Sequence, residues 1–189
     1  MKPQTLPAGC RKPGECRGRR IADCGRGESA GMESVEDALV DLSEDEINWR
    51  PLPQANNINV IVRHLRIEAQ WHLDSLIRGD AMPSAVTATL QREIDTVPLD
   101  FQRNVAKLEE LSTGFLDGLR TTTLRDLHLR TAAAYGPASA ARGLDHFLGY
   151  HQALHVATHC GQIRTIRNLY RTTRGEPGRF FPENPTYPR

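Results

Sequence analysis

The stretch "HQALHVATHCGQIR", residues 151–164, sets His151, His155 and His159 four residues apart. On a helix of 3.6 residues per turn, positions i and i+4 stand one above the other. Carried outward in both directions, the same face takes in Leu144, Leu148, Gln162 and Ile166 at steps of three and four. That periodicity predicts one long helix from about residue 139 to 170, with Pro137 just ahead of it. The histidines are expected on its core-facing stripe. Two imidazoles a turn apart can share one ion. A seam of hydrogen-bonded core histidines has the same spacing, so spacing alone leaves metal site and polar seam both open.

The rest of the chain also patterns as helix. Val35, Ala38, Leu39 and Leu42 keep the three-and-four spacing, and "SEDE" at 43–46 has the capping-box form, Ser43 with Glu46 three later. The stretch "INWRPLPQANN" carries two prolines and ends on two asparagines, so it reads as a connection in which Trp49 packs as a lid. Asn56 or Asn57 can cap a second helix of about 57–78 that stops at Gly79. Its inward stripe reads Ile58, Ile61, His64 or Leu65, Glu68, Trp71 or His72, and Ser75. Residues 83–98 are β-branched and mixed, and short strand and irregular helix both remain open there. A third helix is expected over about 100–119, with Phe101, Val105, Leu108, Leu111 or Ser112, and Phe115 on one face and Gly114 and Gly118 weakening its end. Residues 120–137 read as a connection with a single helical turn near Leu124–Leu127. The predicted fold is all-α, a four-helix bundle with long crossing connections.

Both ends differ from the middle. Residues 1–31 are rich in glycine and carry seven basic against three acidic side chains. Low hydrophobicity with excess charge predicts a disordered tail over 1–32. Alternatively, translation starts at Met32, where helical patterning begins. The bundle is expected over 33–174, and a proline-rich tail at 175–189 is expected to pack back on it through Phe180, Phe181 and Tyr187.

Net charge is +1, so the whole molecule gives no steering toward nucleic acid or an acidic membrane. The basic tail lacks the aromatic interleaving that stacks bases. Apolar runs are too short to span a bilayer, and the N-terminus has no apolar signal-peptide core. The default compartment is the cytoplasm. Cys10, Cys16 and Cys24 lack the paired spacing of a zinc ribbon and read as free thiols, while Cys160 stands beside His159.

A histidine pair leaves a metal site incomplete, and bundles complete such sites from a facing helix. The second helix offers candidates: His64 on or near its inward stripe, Glu68 one turn later and His72 two turns later, and His64 with His155 and His159 would make a three-nitrogen site with an open position. "HVATH" lacks the glutamate of HExxH, so a zincin-type protease site is excluded. Neither is this a di-iron carboxylate bundle, because the last helix supplies no inward glutamate. Gly161 inside a helix costs about 1 kcal/mol relative to alanine, and its expected benefit is close approach of a neighbouring helix. Gln162 can orient a ligand or water, or simply bond between helices.

These residues resemble a known group. "HVATHCGQIRTIR" resembles the H-x3-H-x-G-Q-I-x3-R signature of the DinB/YfiT-like superfamily, matched by His155, His159, Gly161, Gln162, Ile163 and Arg167. The earlier stretch is similar to that superfamily's W-x-P turn and H-L-x3-E-x2-W segment, matched by Trp49, Pro51, Asn57, His64, Leu65, Glu68 and Trp71. The two motifs keep the superfamily's order and spacing over about residues 35–170. The resemblance implies a four-helix bundle with one histidine ligand from the second helix and two from the last, here His64, His155 and His159. It implies one divalent transition metal ion, zinc, nickel or iron. Relatives include S-transferases that use bacillithiol or mycothiol and a maleylpyruvate isomerase.

The expected function is thus a metal-dependent thiol S-transferase, acting on a small thiol and an electrophile, with metal-assisted hydrolysis close by. The rival is a non-catalytic metal- or ligand-binding bundle, stress-related in role. Glu68, His151, Gln162 and Arg167 are candidates for contacting the ligands or the substrate, with His151 secondary to the pair. Arg164 and Arg167 read first as structural charges and second as an anion clamp. A third reading is a structural bundle that pairs into a homodimer.

Overall fold

The computed structural model describes residues 32, 34–80, 97–135 and 154–176. Among these residues the chain is helical and contains no strand. A first helix, α1, covers residues 34–39. Asp41 then turns the chain with a left-handed φ of 57°. The short α2 follows at Glu44–Asn48, capped as the SEDE motif requires by Ser43 Oγ, which accepts the Glu46 N–H at 3.2 Å. The other half of the expected box is absent. Glu46 does not turn back on Ser43 but is buried, its Oε1 3.1 Å from Arg171 Nε and 3.5 Å from Arg167 Nε.

Helix α3 spans Ile58–His72 and begins where Asn57 Oδ1 accepts the Val60 N–H at 2.9 Å. It continues as a π-helical turn, Leu73–Arg78, closed by Gly79 at φ 83°. Glycine is needed there because this backbone crowds any Cβ. The expected Trp49 lid packs edge-on against Tyr170, ring centroids 5.8 Å apart.

Helix α4 covers Phe101–Thr121, started by Asp100 Oδ1 on the Arg103 N–H. It runs unbroken through Gly114 and Gly118 to Thr121. A Cβ at Gly118 would lie 2.2 Å from Ile77 Cγ2, so the missing side chain lets the π-helical turn press against α4.

The predicted connection after α4 is instead a full helix, α5, Leu124–Tyr135. Thr123 starts it as a cap that the sequence reading missed. Its Oγ1 accepts the Asp126 N–H at 3.1 Å and donates to Asp126 Oδ2 at 2.6 Å. Arg130 then donates to the carbonyls of Leu76 and Ile77, tying α5 to the end of the π-helical turn. The last helix, α6, is Leu154–Thr173.

Four helices share the main core. Val35 and Ala38 of α1, Ile58, Ile61, Val62 and Leu65 of α3, Leu108 of α4, and Val156, Cys160, Ile163 and Ile166 of α6 pack together. Each such buried aliphatic side chain contributes about 1.5–3 kcal/mol. A second cluster joins Leu73 and Leu76 to Leu111, Phe115 and Leu119 of α4 and Leu127 of α5. The architecture is therefore the expected all-α bundle, extended at one end by α5. No helix among the described residues is long and apolar enough to cross a membrane.

Several expectations lie outside the described residues. They are the N-terminal tail with Cys10, Cys16 and Cys24, the segment 81–96, the part of the fourth helix before Leu154 with His151, and the C-terminal tail from 177.

Candidate metal centre

The shared core sets α3 and α6 side by side. His64 projects from α3, and His155 and His159, a turn apart, project from α6 toward it. The three rings meet edge to face, with centroids 4.5–5.3 Å apart. His155 Nε2 lies 3.3 Å from His64 Nε2 and 2.8 Å from His159 Nε2. One donor atom from each histidine falls within 4.8 Å of the others.

The histidines are not on the deepest line of α6. That line is Val156, Cys160, Ile163, Ile166 and Tyr170, one position round from the expected stripe. His155 and His159 flank it half-buried, and Gln162 is exposed. The reason is solvation: the apolar neighbours fill the core, and polar ring atoms stay at its rim. The side chains of His64 and His155 are 25% and 27% exposed, so the cluster opens to solvent.

Two acceptors hold the rings from outside. Glu68, a turn after His64, accepts from His155 Nδ1 at 2.9 Å through Oε2, while its Oε1 lies 3.5 Å from His64 Nε2. Gln162 Oε1 accepts from His159 Nδ1 at 2.8 Å. With both Nδ1 atoms occupied by protons, the Nε2 lone pairs of His155 and His159 face the common centre. This is how carboxylate and amide partners orient metal-binding imidazoles.

The electrostatics agree. Burial lowers the pKa of His64, and the nearby His155 adds to this against the pull of Glu68. Burial likewise lowers that of His159, reinforced by His155 and His64 and opposed by Gln162 and Glu68. Both rings are thus biased toward the neutral form that can ligate. Burial alone would raise the Glu68 carboxyl, but its hydrogen bond to His155 and the electrostatic pull of the nearby histidines outweigh that and hold it below its ordinary value.

The donor set suits a divalent ion. Three imidazole nitrogens with a free side make the arrangement of an open tetrahedral site. Metal–nitrogen bonds of about 2.0–2.1 Å give a tetrahedral edge of about 3.3 Å, which matches the His64–His155 separation, while His155 and His159 stand closer at 2.8 Å. Lone pairs at such distances repel unless a metal ion or a shared proton sits between them.

Other singled-out residues lie elsewhere. His72 is buried beside Phe115, their centroids 6.4 Å apart, and does not join the cluster. A cavity of about 20 Å³, room for one water, lies behind the site among Glu68, His72, Ser112 and His155. Arg167 donates to the carbonyls of Ala38 and Val40 and meets Glu46, which is the structural reading. Arg164 reaches Asp37 Oδ2 at 3.3 Å. Cys160 is buried, donates to the Ser34 carbonyl, and has its pKa raised chiefly by burial. Gly161 departs from expectation: among the described residues, its own helix backbone aside, no atom lies within 4 Å of where its Cβ would be, so none of the described helices presses on it. The buried partner of Arg167 was legible only as the glutamate of a capping box, because the contact spans 121 positions of sequence, from Glu46 to Arg167.

With this geometry in hand, comparison with known families returns a match. The family described as mycothiol-S-transferase matches residues 29–172, which takes in both histidine-bearing helices. Comparison with curated proteins returns no match, and comparison with solved structures returns none.

Proposed function

Since the chain belongs to the mycothiol-S-transferase family, we propose that it joins a small thiol to an electrophile at a metal ion held by His64, His155 and His159. The observation that carries this reading is the convergence of three Nε2 atoms from two helices whose histidines lie 91 positions apart in sequence. A divalent ion there, zinc, nickel or iron, supplies a Lewis acid that lowers the pKa of a thiol bound to it.

The protein's own groups prepare that chemistry. Glu68 and Gln162 hold two imidazoles in the tautomer that ligates. Glu68, kept ionised, also balances positive charge at the site. The partial exposure of His64 and His155 leaves a side from which two small substrates can enter. In the transfer itself, a bond forms between the thiol sulfur and the electrophilic carbon. The bond to the leaving group breaks, the leaving group takes the electron pair, and the thiol proton goes to solvent.

The test is elemental analysis of untagged protein, followed by turnover of mycothiol with an alkylating electrophile. About one equivalent of metal is expected, lost in His155→Ala and His159→Ala together with activity. Metal without turnover under any thiol would favour the non-catalytic, ligand-binding bundle. No transition metal in the untagged protein would sink both readings.

A further inference from the structure

A groove of about 510 Å³ runs along the surface where α6 meets α3 and the loop before it, a size usual for a small-molecule pocket. It begins one turn from the histidines: Ile61 is three residues before His64, and Gln162 three after His159. Gln162 belongs to both places, since its Oε1 holds His159 while its side chain lines the groove. We propose that this groove seats the uncharged apolar body, aryl or alkyl, of the electrophilic substrate. The proposal rests on the thiol-transfer reading of the adjoining site.

Three features argue for that occupant. First, the walls are apolar, formed by Pro51, Ile61, Ile166 and the exposed Leu169, and no charged side chain lines the groove among the described residues. Second, its two hydroxyls have spent their protons on their own helix. Thr158 donates to the Leu154 carbonyl at 2.8 Å and Thr165 to the Gly161 carbonyl at 2.9 Å. The donors left in the lining are the amides of Asn56 and Gln162, too few for a charged or hydroxyl-rich ligand to recover the water it would lose there. Third, Gly161 sits in the groove wall, inside a helix, where it weakens the helix. Neither its backbone nor its packing requires glycine: it does not have positive φ, and a Cβ would meet nothing among the described residues. A side chain at this position would project into the space the substrate body needs.

The test uses full-length, metal-loaded protein and the variants Gly161→Leu and Leu169→Gln, with mycothiol as thiol. Two electrophiles are compared, iodoacetamide, which is too small to use the groove, and monobromobimane, which carries an apolar ring system. In Gly161→Leu, KM for monobromobimane should rise about tenfold or more, while kcat/KM for iodoacetamide changes less than about twofold. Leu169→Gln should shift the same ratio in the same direction, which guards against misfolding of the first variant. A separate binding readout uses the uncharged fluorophore N-phenylnaphthylamine, which should bind the wild type and lose affinity in both variants. If no thiol gives turnover but the dye still discriminates the variants, the transfer reading fails and the groove stands as an apolar ligand site. If turnover occurs but both electrophiles are affected alike and dye binding is unchanged, the groove proposal is overturned and the transfer reading stands. Tighter dye binding by a full-length Phe180→Ala/Phe181→Ala variant would show the chain's own tail in the groove and overturn the proposal. A shift from dimer to monomer in Gly161→Leu would identify the groove as a contact between copies and also overturn it.

Discussion

His155 uses both of its ring nitrogens. Nε2 faces the other two histidines, and Nδ1 is spent on Glu68. The position of Nε2 therefore depends on a carboxylate that belongs to another helix. Removing such a partner weakens metal affinity by about 10–100-fold in sites of this kind. We expect Glu68→Ala near the upper end. Glu68→Gln should fall near the lower end, since an amide oxygen still accepts from Nδ1. Competition against a chromogenic chelator measures this, and wild-type affinity in Glu68→Ala would remove Glu68 from any positioning role. Cys160 makes a contrast one residue from His159. Its thiol is buried, its pKa is raised, and its proton goes to a backbone carbonyl. Thiolate, not thiol, reacts with electrophiles. Peptide mapping after N-ethylmaleimide treatment should find Cys160 unmodified in the native protein and modified after unfolding in guanidinium. Rapid native labelling would contradict this account of its burial.

At the scale of elements, two helical glycines differ in what surrounds them. Gly118 on α4 faces Ile77 at clash distance for any Cβ, whereas Gly161 on α6 faces open space among the described residues. Alanine in place of glycine gains about 1 kcal/mol in a helix interior. At Gly118 that gain is set against overpacking of about 1–3 kcal/mol. Gly118→Ala should therefore destabilise by about 1 kcal/mol, and Gly161→Ala should stabilise by about the same amount. Urea denaturation of the two variants gives the signs directly, and equal signs would mean that the local packing is misread. The start of α3 offers a simpler case. Asn57 caps it through the Val60 N–H, so Asn57→Ala should cost about 1 kcal/mol. The α5 helix was overlooked because Leu124, Leu127 and Leu129 followed by three alanines set out no clear one-sided stripe, and the threonine run ahead of it reads as a turn. The T-x-x-D pattern of Thr123 and Asp126 was the available signal.

For the whole molecule, one ion cluster ties the entry of the bundle to its last helix. Glu46 lies in the middle of α2, only 4% exposed, and meets both Arg167 and Arg171 of α6. Arg167 in turn donates to the carbonyls of Ala38 and Val40 at the end of α1. Loss of the glutamate leaves two guanidinium groups in a dry place, and breaking a buried pair this way costs about 3–5 kcal/mol. Glu46→Ala should lower stability on that scale by chemical denaturation. A loss below about 1 kcal/mol would show that the cluster is solvated. Through the same contact, the charge of an arginine in the last motif helps to hold the fold.

The helical class, the cap at Ser43, a cap at Asn56 or Asn57, the stop at Gly79 and the His155–His159 pair a turn apart are legible in the sequence alone, and the resemblance of two motifs adds His64 to that pair. The helices, caps, stop and histidine pair follow from local rules, because capping, glycine at positive φ and three-and-four spacing act within a turn or two of helix; adding His64 does not. Only the tertiary structure decided which face of α6 is buried, that Glu68 serves a histidine of another helix, that Glu46 turns to Arg167 and Arg171, and that Gly161 borders a groove. Each of these depends on which groups meet across the bundle. Contacts between positions more than 80 residues apart are set by packing and desolvation of the whole core, and no local pattern records them.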